Sequence, residues 1–442
     1  MKAAPGKKAN RIAIFAATNQ SVWESCKIIS GNLAKAYQRQ FKDAVRFFPY
    51  NLTMIRETQR FSGTPILDVA EQLHAFAPSK VIFMDYQPAP YLMLAALRWK
   101  YGKDPLPGLN IHVYGDFPIH LHEWKLSLPY ISKQKLRFIC ASPKQARFIS
   151  GLLAPGSEVP TVSPFPVDPN EYFFDPKDRA EFRKKHGIPT DAPVLCYSGR
   201  ISLQKNVIAL LNTFAETQTK SKKPAWFLIA GNFDPLASPY FGIQALHQSY
   251  FEMFEAALAK LPKSIRARVI VLGNLGKKDL RQLYSASDVL GSLSLHQDED
   301  YGMSPAEALC TGATTVLTDW AGYGGFGKLS ACSLSPVILN KTGQWIQKGL
   351  FEKALLERLN EGFDEKRRLD RARLAVEFLG IETVSKGLAK TLLTDEPKFM
   401  GFDWKFDCLK QSFDSGSPFP AGPKANSFYS NIYGNYYEKS FQ

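Results

Sequence analysis

Residues 291–312 read GSLSLHQDEDYGMSPAEALCTG, and this stretch decides the fold. It begins at the end of a short apolar run of strand type, Val289–Ser292. An acidic cluster follows, Asp298-Glu299-Asp300, and then Tyr301-Gly302-Met303-Ser304-Pro305. Serine is a good helix N-cap and proline suits the first helical position, so the spacing predicts a helix over 305–311 capped by Ser304. Gly312 stands where a glycine closes a helix. The tight loop Gly302–Ser304 then offers backbone N–H groups at the positive end of a helix dipole, which makes an anion site. A diphosphate is the natural occupant. Glu299 precedes the loop and Glu307 lies in the first helical turn, so both carboxylates frame a ligand held there. Carboxylates accept hydrogen bonds from vicinal sugar hydroxyls well.

A second window, SGRISLQKN at 198–206, is another strand-to-helix turn. Arg200 and Lys205, five residues apart, carry the charge needed to neutralise a pyrophosphate leaving group. Around these windows, strand-like runs (Val194–Ser198, Trp226–Ala230, Val269–Leu272, Thr314–Thr318) alternate with helical patterns at Asn206–Thr219 and Tyr250–Ala259. The same alternation occupies the first part of the chain. Arg11–Thr18, Lys80–Asp85, Asn110–Tyr114 and Phe138–Ala141 read as strands, with helical spacing at Ser21–Phe41 and Tyr91–Trp99. Near-continuous apolar strands alternating with helices predict parallel sheets covered on both faces. Pro160–Pro176 holds five prolines and reads as an extended connector. The expected architecture is α/β: two doubly wound, Rossmann-like domains facing across a cleft, at 1–168 and 169–380. Ligands of such sheets bind at the carboxyl ends of the strands. The last segment, 381–442, supplies a closing helix and a tail in which a quarter of residues 395–442 are aromatic, against 13% overall. That richness predicts a tail packed on the body, with Ser415–Pro423 as a loop.

Composition narrows the functional classes. The chain has 442 residues, 45% hydrophobic and 22% charged, which excludes global disorder. No run approaches the ~18 apolar residues of a membrane-spanning helix. Met1–Arg11 is basic, but no signal-type apolar region follows it. Six well-separated cysteines without a C-x-x-C pair predict small buried hydrophobes in a reducing, cytoplasmic setting. The net charge is +14, and residues 1–170 carry 21 basic against 11 acidic side chains. Such a field favours acidic glycans, phosphates or an anionic membrane surface as partners, the last placing the protein peripherally on the inner face of a membrane. No nucleic-acid-reading motif accompanies the charge. No G-x-G-x-x-G follows the first strand, which argues against a dinucleotide-dependent oxidoreductase.

The order S-G-R-x4-K-N (Ser198–Asn206), L-I-A-G (Leu228–Gly231), V-L-G (Val271–Gly273), D-L-x-x-L-Y-x-x-S-D (Asp279–Asp288) and E-D-Y-G-M-S-P-A-E-A-L-x-x-G (Glu299–Gly312) resembles the retaining GT-B glycosyltransferases of family 4, group 1 type. The resemblance covers about residues 165–380 through motifs and 10–165 through element order. It implies a GT-B fold whose C-terminal segment returns to the N-terminal domain. It implies that Arg200 and Lys205 bind the donor diphosphate and that backbone around Gly302, Met303 and Ser304 caps the phosphates. Glu307 would hold the ribose hydroxyls, Glu299 the donor sugar, and Asn274 and Leu275 the base. The implied chemistry is transfer of a sugar from a nucleotide-diphosphate donor to an acceptor hydroxyl of a glycan or lipid-linked sugar, with retained configuration. No cofactor is implied beyond the donor itself, and no metal.

Several positions depart from the family. Its His-Asp pair in the N-terminal domain reads Gly115-Asp116 here, so Asp116 is kept in the catalytic set while His120, with His112 and His122, is a substitute for the missing imidazole. The first loop, Thr18–Trp23, lacks the usual glycines, and Asn19 and Trp23 there are candidates for acceptor contact. His296 stands where the family often has serine. Asp298-Glu299-Asp300 spells the metal-binding D-x-D of another glycosyltransferase fold, but Arg200, Lys205 and the helix end already supply positive charge. Two other readings of the same pocket are a non-catalytic nucleotide-sugar-binding protein and a GT-B sugar epimerase.

Overall fold

The computed structural model describes residues 11–16, 24–49, 64–84, 91–114, 117, 121–234, 249–295, 299–340 and 343–403. Among these, the chain forms two compact units. One comprises residues up to 141, 145–166 and 384–403; the other comprises 142–144 and 167–383.

The first unit is built on a six-stranded parallel sheet. In chain order it runs β1 (Ile12–Ala16), α1 (Glu24–Phe41), β2 (Val45–Pro49), α2 (Thr64–Phe76), β3 (Lys80–Phe83), α3 (Tyr91–Tyr101), β4 (Gly108–Val113), α4 (Leu121–Ile131), β5 (Leu136–Cys140), α5 (Pro143–Ser150) and β6 (Thr161–Val162). The sheet order is β2-β1-β3-β4-β5-β6. β4 and β5 are buried along their whole length, as strands covered on both faces must be. The Pro-rich connector contributes β6 to this sheet, pairing Thr161 and Val162 with Ile139 and Cys140. β2, VRFFP, carries no sequence signal strong enough to mark it: it is an edge strand, and Phe47 is exposed.

The second unit follows the same logic: α6 (Pro176–Lys185), β7 (Val194–Ser198), α7 (Val207–Thr217), β8 (Trp226–Ala230), α8 (Ser249–Ala259), α9 (Lys263–Arg266), β9 (Val269–Gly273), α10 (Lys277–Ala286), β10 (Val289–Ser292), α11 (Met303–Cys310), β11 (Thr314–Thr318), a 3-10 segment Ala321–Lys328, β12 (Cys332–Ser335), the hairpin β13 (Val337–Asn340) and β14 (Gly343–Ile346), α12 (Lys348–Asn360) and α13 (Glu365–Leu379), after which comes α14 (Ile381–Leu393), whose residues from 384 on belong to the first unit. Its parallel sheet has the order β12-β11-β10-β7-β8-β9. The chain therefore winds outward from β7 to β9, returns to the other side of β7, and winds outward again from β10 to β12. The reversal between β7 and β10 is a topological switch point, and doubly wound sheets open a ligand crevice there. β7 and β10 are held in register by Val289 opposite Leu195 and Leu290 opposite Cys196. Beneath them, Leu195, Tyr197, Val207, Leu210, Phe214, Phe227 and Phe254 form a fully buried core. This core fixes the strand ends from which the functional loops depart.

The start of one helix differs from expectation. The α11 helix starts at Met303, with Gly302 as its N-cap at φ 99°, and Ser304 makes no capping bond. A φ of 99° suits glycine, which has no Cβ to clash, and Pro305 still fits in the first turn, where no N–H is needed. At the other end, Gly312 N–H donates to Leu309 (2.8 Å) and Ala313 N–H to Ala308 (3.1 Å), a Schellman closure. The basic run of α13 is not wholly a solvated face. Arg368 is buried and donates to the carbonyls of Tyr284 (2.6 Å), Ser287 (2.6 Å) and Thr311 (2.9 Å), so it closes the open carbonyl ends of α10 and α11.

The returning segment is anchored to the first unit by a buried carboxylate. Glu396 accepts from Lys80 Nζ (2.6 Å) and Asn110 Nδ2 (2.7 Å), and Leu136 N–H donates to Pro397 (2.8 Å). Phe399 and Phe402 join Trp124, Phe138 and Phe117 in one aromatic cluster. The aromatic tail from residue 404 lies outside the described residues.

Candidate functional site

The loops that leave β7, β8 and β9 are stitched by their backbones. Gly199 N–H donates to Ala230 (3.0 Å), Gly231 N–H to Gly273 (2.7 Å) and Ile201 N–H to Asn232 (2.9 Å). Gly231 has φ 142°, and a Cβ there would overlap the Gly199 carbonyl. Only glycine lets these two strand ends approach so closely. Arg200 emerges from this junction, and its Nη1 faces Asp234 Oδ2 at 3.5 Å. Its carbonyl accepts from the buried Tyr197 hydroxyl (2.7 Å), which pins the turn. Asn206 caps α7 in a left-handed conformation (φ 54°), with its Nδ2 on the Leu293 carbonyl (3.3 Å). The start of α7 is thus tied to the loop after β10.

That tie brings Lys205 to Glu299. Lys205 Nζ donates to Glu299 Oε2, and Ser294 Oγ donates to the same oxygen (2.8 Å). Both charges are largely buried, with side chains 16% and 9% exposed. Oε1 takes neither of these bonds, so its lone pairs suit a further donor such as a sugar hydroxyl. Asp116, Asn19, His120 and His296 lie outside the described residues, as do Gly115 and Asp298.

The α11 N-terminus supplies the anion-binding element. Pro305 has no N–H and Ala306 N–H is spent on the Gly302 carbonyl (3.2 Å). The donors a helix start leaves open are therefore those of Met303 and Ser304. Four residues on, Glu307 is buried within the helix that carries these donors. Its Oε2 accepts from the Tyr284 hydroxyl at 3.1 Å, and Tyr284 in turn receives a hydrogen bond from Ser198 at the end of β7. Burial pushes the Glu307 carboxyl up to about 8, against the bond of Tyr284, the neighbouring Tyr172 hydroxyl and the charge of Lys277, which favour ionisation. Burial, and then the Glu307 charge, hold Tyr284 in its neutral, donating form. Lys277 opens α10 two residues after Leu275. Asn274 and Leu275 thus lie at the end of β9, on the side of the unit from which a charge reaches Glu307.

Arg200, Lys205, Glu299, Gly302, Met303, Ser304 and Glu307 gather on the loops and helix starts around one switch point of one sheet. Sequence reasoning missed their supports. Tyr284 stands inside the D-L-x-x-L-Y motif and was available to it. Tyr172, Ser294 and Asp234 carry no local pattern. His112 is not a site residue: it is 1% exposed in β4, its Nε2 is 2.7 Å from the Tyr37 hydroxyl, and burial pulls it down to about 3, so it stays neutral.

Residues 178–326 match the family model of the group 1 glycosyl transferases. No curated protein matches the chain as a relative. Among solved structures, the chain is similar to HepE of Anabaena in complex with UDP, at 16% identity and a TM-score of 0.61 over 87% of this chain and 99% of that one. It is similar to the sucrose-phosphate synthase of Thermosynechococcus elongatus, at 13% identity and a TM-score of 0.59 over 87% and 98%. It is also similar to a UDP-forming α,α-trehalose-phosphate synthase of Burkholderia xenovorans in complex with glucose-6-phosphate, at 11% identity and a TM-score of 0.57 over 87% and 100%. At these identities the likeness is one of fold, and the fold is GT-B-like. The matched segment contains Arg200, Lys205, Glu299, Gly302, Met303, Ser304 and Glu307, while Tyr172 precedes it.

Proposed function

We propose that the protein is a retaining glycosyltransferase of family 4 type that moves a sugar from a nucleotide-diphosphate donor to an acceptor hydroxyl. One observation carries the reading. Two cations, an open helix N-terminus and two buried carboxylates converge at the switch point of a sheet whose segment matches the group 1 glycosyl transferase model. Each has a part to play. Glu307 takes the ribose hydroxyls and Asn274 with Leu275 flanks the base. Met303 and Ser304 N–H groups, Arg200 and Lys205 take the diphosphate. Glu299 takes hydroxyls of the donor sugar. The anomeric carbon–oxygen bond to the diphosphate breaks while the acceptor oxygen bonds the same face of that carbon. The acceptor proton passes to the departing phosphate oxygen, and Arg200 and Lys205 stabilise the charge that develops there. No carboxylate nucleophile is required, unlike retaining glycosidases. The fixed positive groups also serve where a metal otherwise would.

UDP, UDP-glucose and glucose are named in complexes of HepE, so UDP-sugars are the first donors to try. The first unit, with the excess of positive charge, is the proposed acceptor side, and Asp116, Asn19 and His120 keep their assignment there. A glycan or lipid-linked acceptor of the cell envelope, reached from the cytoplasmic face, fits that charge. Among the described residues no helix is long and apolar enough to cross a membrane.

The test is release of nucleoside diphosphate from a panel of UDP-, GDP- and ADP-sugars, with and without EDTA, and proton NMR of the sugar set free or transferred. Turnover with retained configuration and no loss in EDTA is expected. Absence of turnover with every donor rejects the enzyme reading, and inverted product rejects the mechanism.

A further inference from the structure

The segment after β11 has no part in the roles assigned above, yet it touches the site three times. Ala321–Lys328, AGYGGFGK, forms eight residues of 3-10 helix, longer than such turns usually run. It opens with Ala321 at φ 44°, a left-handed conformation that costs a non-glycine residue energy. This conformation brings Gly322 N–H to the Glu299 carbonyl at 2.6 Å. It also brings the Tyr323 ring beneath Gly302, where a Cβ on residue 302 would stand 2.5 Å from a ring carbon. Finally, the Tyr323 hydroxyl lies 3.0 Å from Ser292 Oγ, and Ser292 Oγ accepts from Ser294 N–H at 3.4 Å. Tyr323 is 4% exposed. The Glu299 charge opposes its ionisation, after burial, so the hydroxyl keeps its proton and can donate toward that carboxylate.

We propose that Tyr323 is the positioning residue of the donor-sugar site: its ring seats the Gly302 turn and its hydroxyl, held by Ser292, orients the Glu299 carboxylate. A hydroxyl relay then runs from the end of β10 to Glu299. Lys205 and Ser294 hold Oε2 from one side. When a donor diphosphate draws Lys205 away, Ser294 and Tyr323 are what keep the carboxylate aimed at the sugar. This rests on the reading that Glu299 takes donor-sugar hydroxyls, and the experiment separates the two.

The experiment is calorimetric titration of the full chain with UDP-, GDP- and ADP-sugars and with the matching free diphosphates. The pair that wild type binds best is then titrated into Tyr323→Phe, Glu299→Gln, the double variant and Tyr323→Ala. Tyr323→Phe keeps the ring under Gly302. Its affinity for the free diphosphate is expected within twofold of wild type, while its affinity for the nucleotide sugar falls about tenfold, the scale of one hydrogen bond to a charged group. The double variant is expected within twofold of Glu299→Gln for the sugar, because both remove one interaction. Tyr323→Ala is expected to weaken both ligands. If Tyr323→Phe binds diphosphate and sugar with equal losses, or with none, Tyr323 is only structural and the proposal fails. If the two single losses multiply in the double variant, Tyr323 does not act through Glu299. If wild type gains nothing from the sugar moiety, or binds no member of the panel, the reading of Glu299 itself falls first, and this proposal with it.

Discussion

Glu307 gives the sharpest handle on the second unit. Its carboxyl is pushed from an ordinary 4.5 to about 8 by burial, so the folded chain holds a proton that the unfolded chain has lost over most of that range. The raised value means that the favourable term is complete below 4.5 and disappears as pH rises through 8. Above 8 the fold must keep a buried carboxylate whose main compensation is the Tyr284 hydroxyl at 3.1 Å. Each unit of pKa difference is worth about 1.4 kcal/mol. Between pH 6 and 9 the native state loses this proton while the unfolded state has none to lose, so stability falls by about 3 kcal/mol. Glu307→Gln keeps the shape and an oxygen for Tyr284 but has nothing to titrate. Thermal unfolding of both proteins at pH 6, 7, 8 and 9 should show wild type losing about 6–12 °C more than the variant. Ligand binding should run the other way. Ribose hydroxyls prefer the ionised carboxylate, so nucleotide affinity in wild type should rise toward pH 8, with proton release, and be flat in the variant. Parallel melting curves for the two proteins across this range would refute the burial of a neutral Glu307.

Three further outcomes follow from other contacts. Lys205→Met leaves the Glu299 carboxylate buried without its cation and should destabilise the unliganded protein by roughly 3 kcal/mol in denaturant titration, with much of the loss recovered in Lys205→Met/Glu299→Gln. Gly302→Ala adds a left-handed alanine whose Cβ meets the Tyr323 ring at 2.5 Å; diphosphate affinity should fall tenfold or more in calorimetry, with a lower melting temperature. Arg368→Met strands three carbonyls at the ends of α10 and α11 and should cost roughly 3–5 kcal/mol, read as an early unfolding transition in urea.

The part of the site in the second unit was legible because its determinants are local. Arg200, Lys205, Glu299 and Glu307 sit at fixed offsets from strand ends and helix starts, so the periodic pattern places them without tertiary knowledge. Strands such as Val289–Ser292 and Thr314–Thr318 were legible for the same reason: buried along their whole length, they are built of apolar, small and β-branched residues without a charge. The edge strands Val45–Pro49 and Cys332–Ser335 were not, since a half-covered strand needs less apolar content. The cap of α11 was misassigned because Ser304-Pro305 is a good local start, whereas the packing of Tyr323 against Gly302 moves the start two residues earlier. Arg368 was hidden within a charged run: only the fold shows that the ends of two helices need its donors. Tyr323 and Tyr172 stand far along the chain from what they support, and sequence spacing carries no record of such contacts.

Every role proposed for the second unit rests on a nucleotide-diphosphate sugar binding at the switch point between β7 and β10 through Glu307. Isothermal titration of wild type and Glu307→Ala with the donor panel at pH 8 tests it directly. Wild type should bind at least one nucleotide sugar, and the variant should bind the same ligand at least fivefold more weakly. Equal affinity of the two proteins for that ligand, or no binding by wild type to any of the panel, would contradict it.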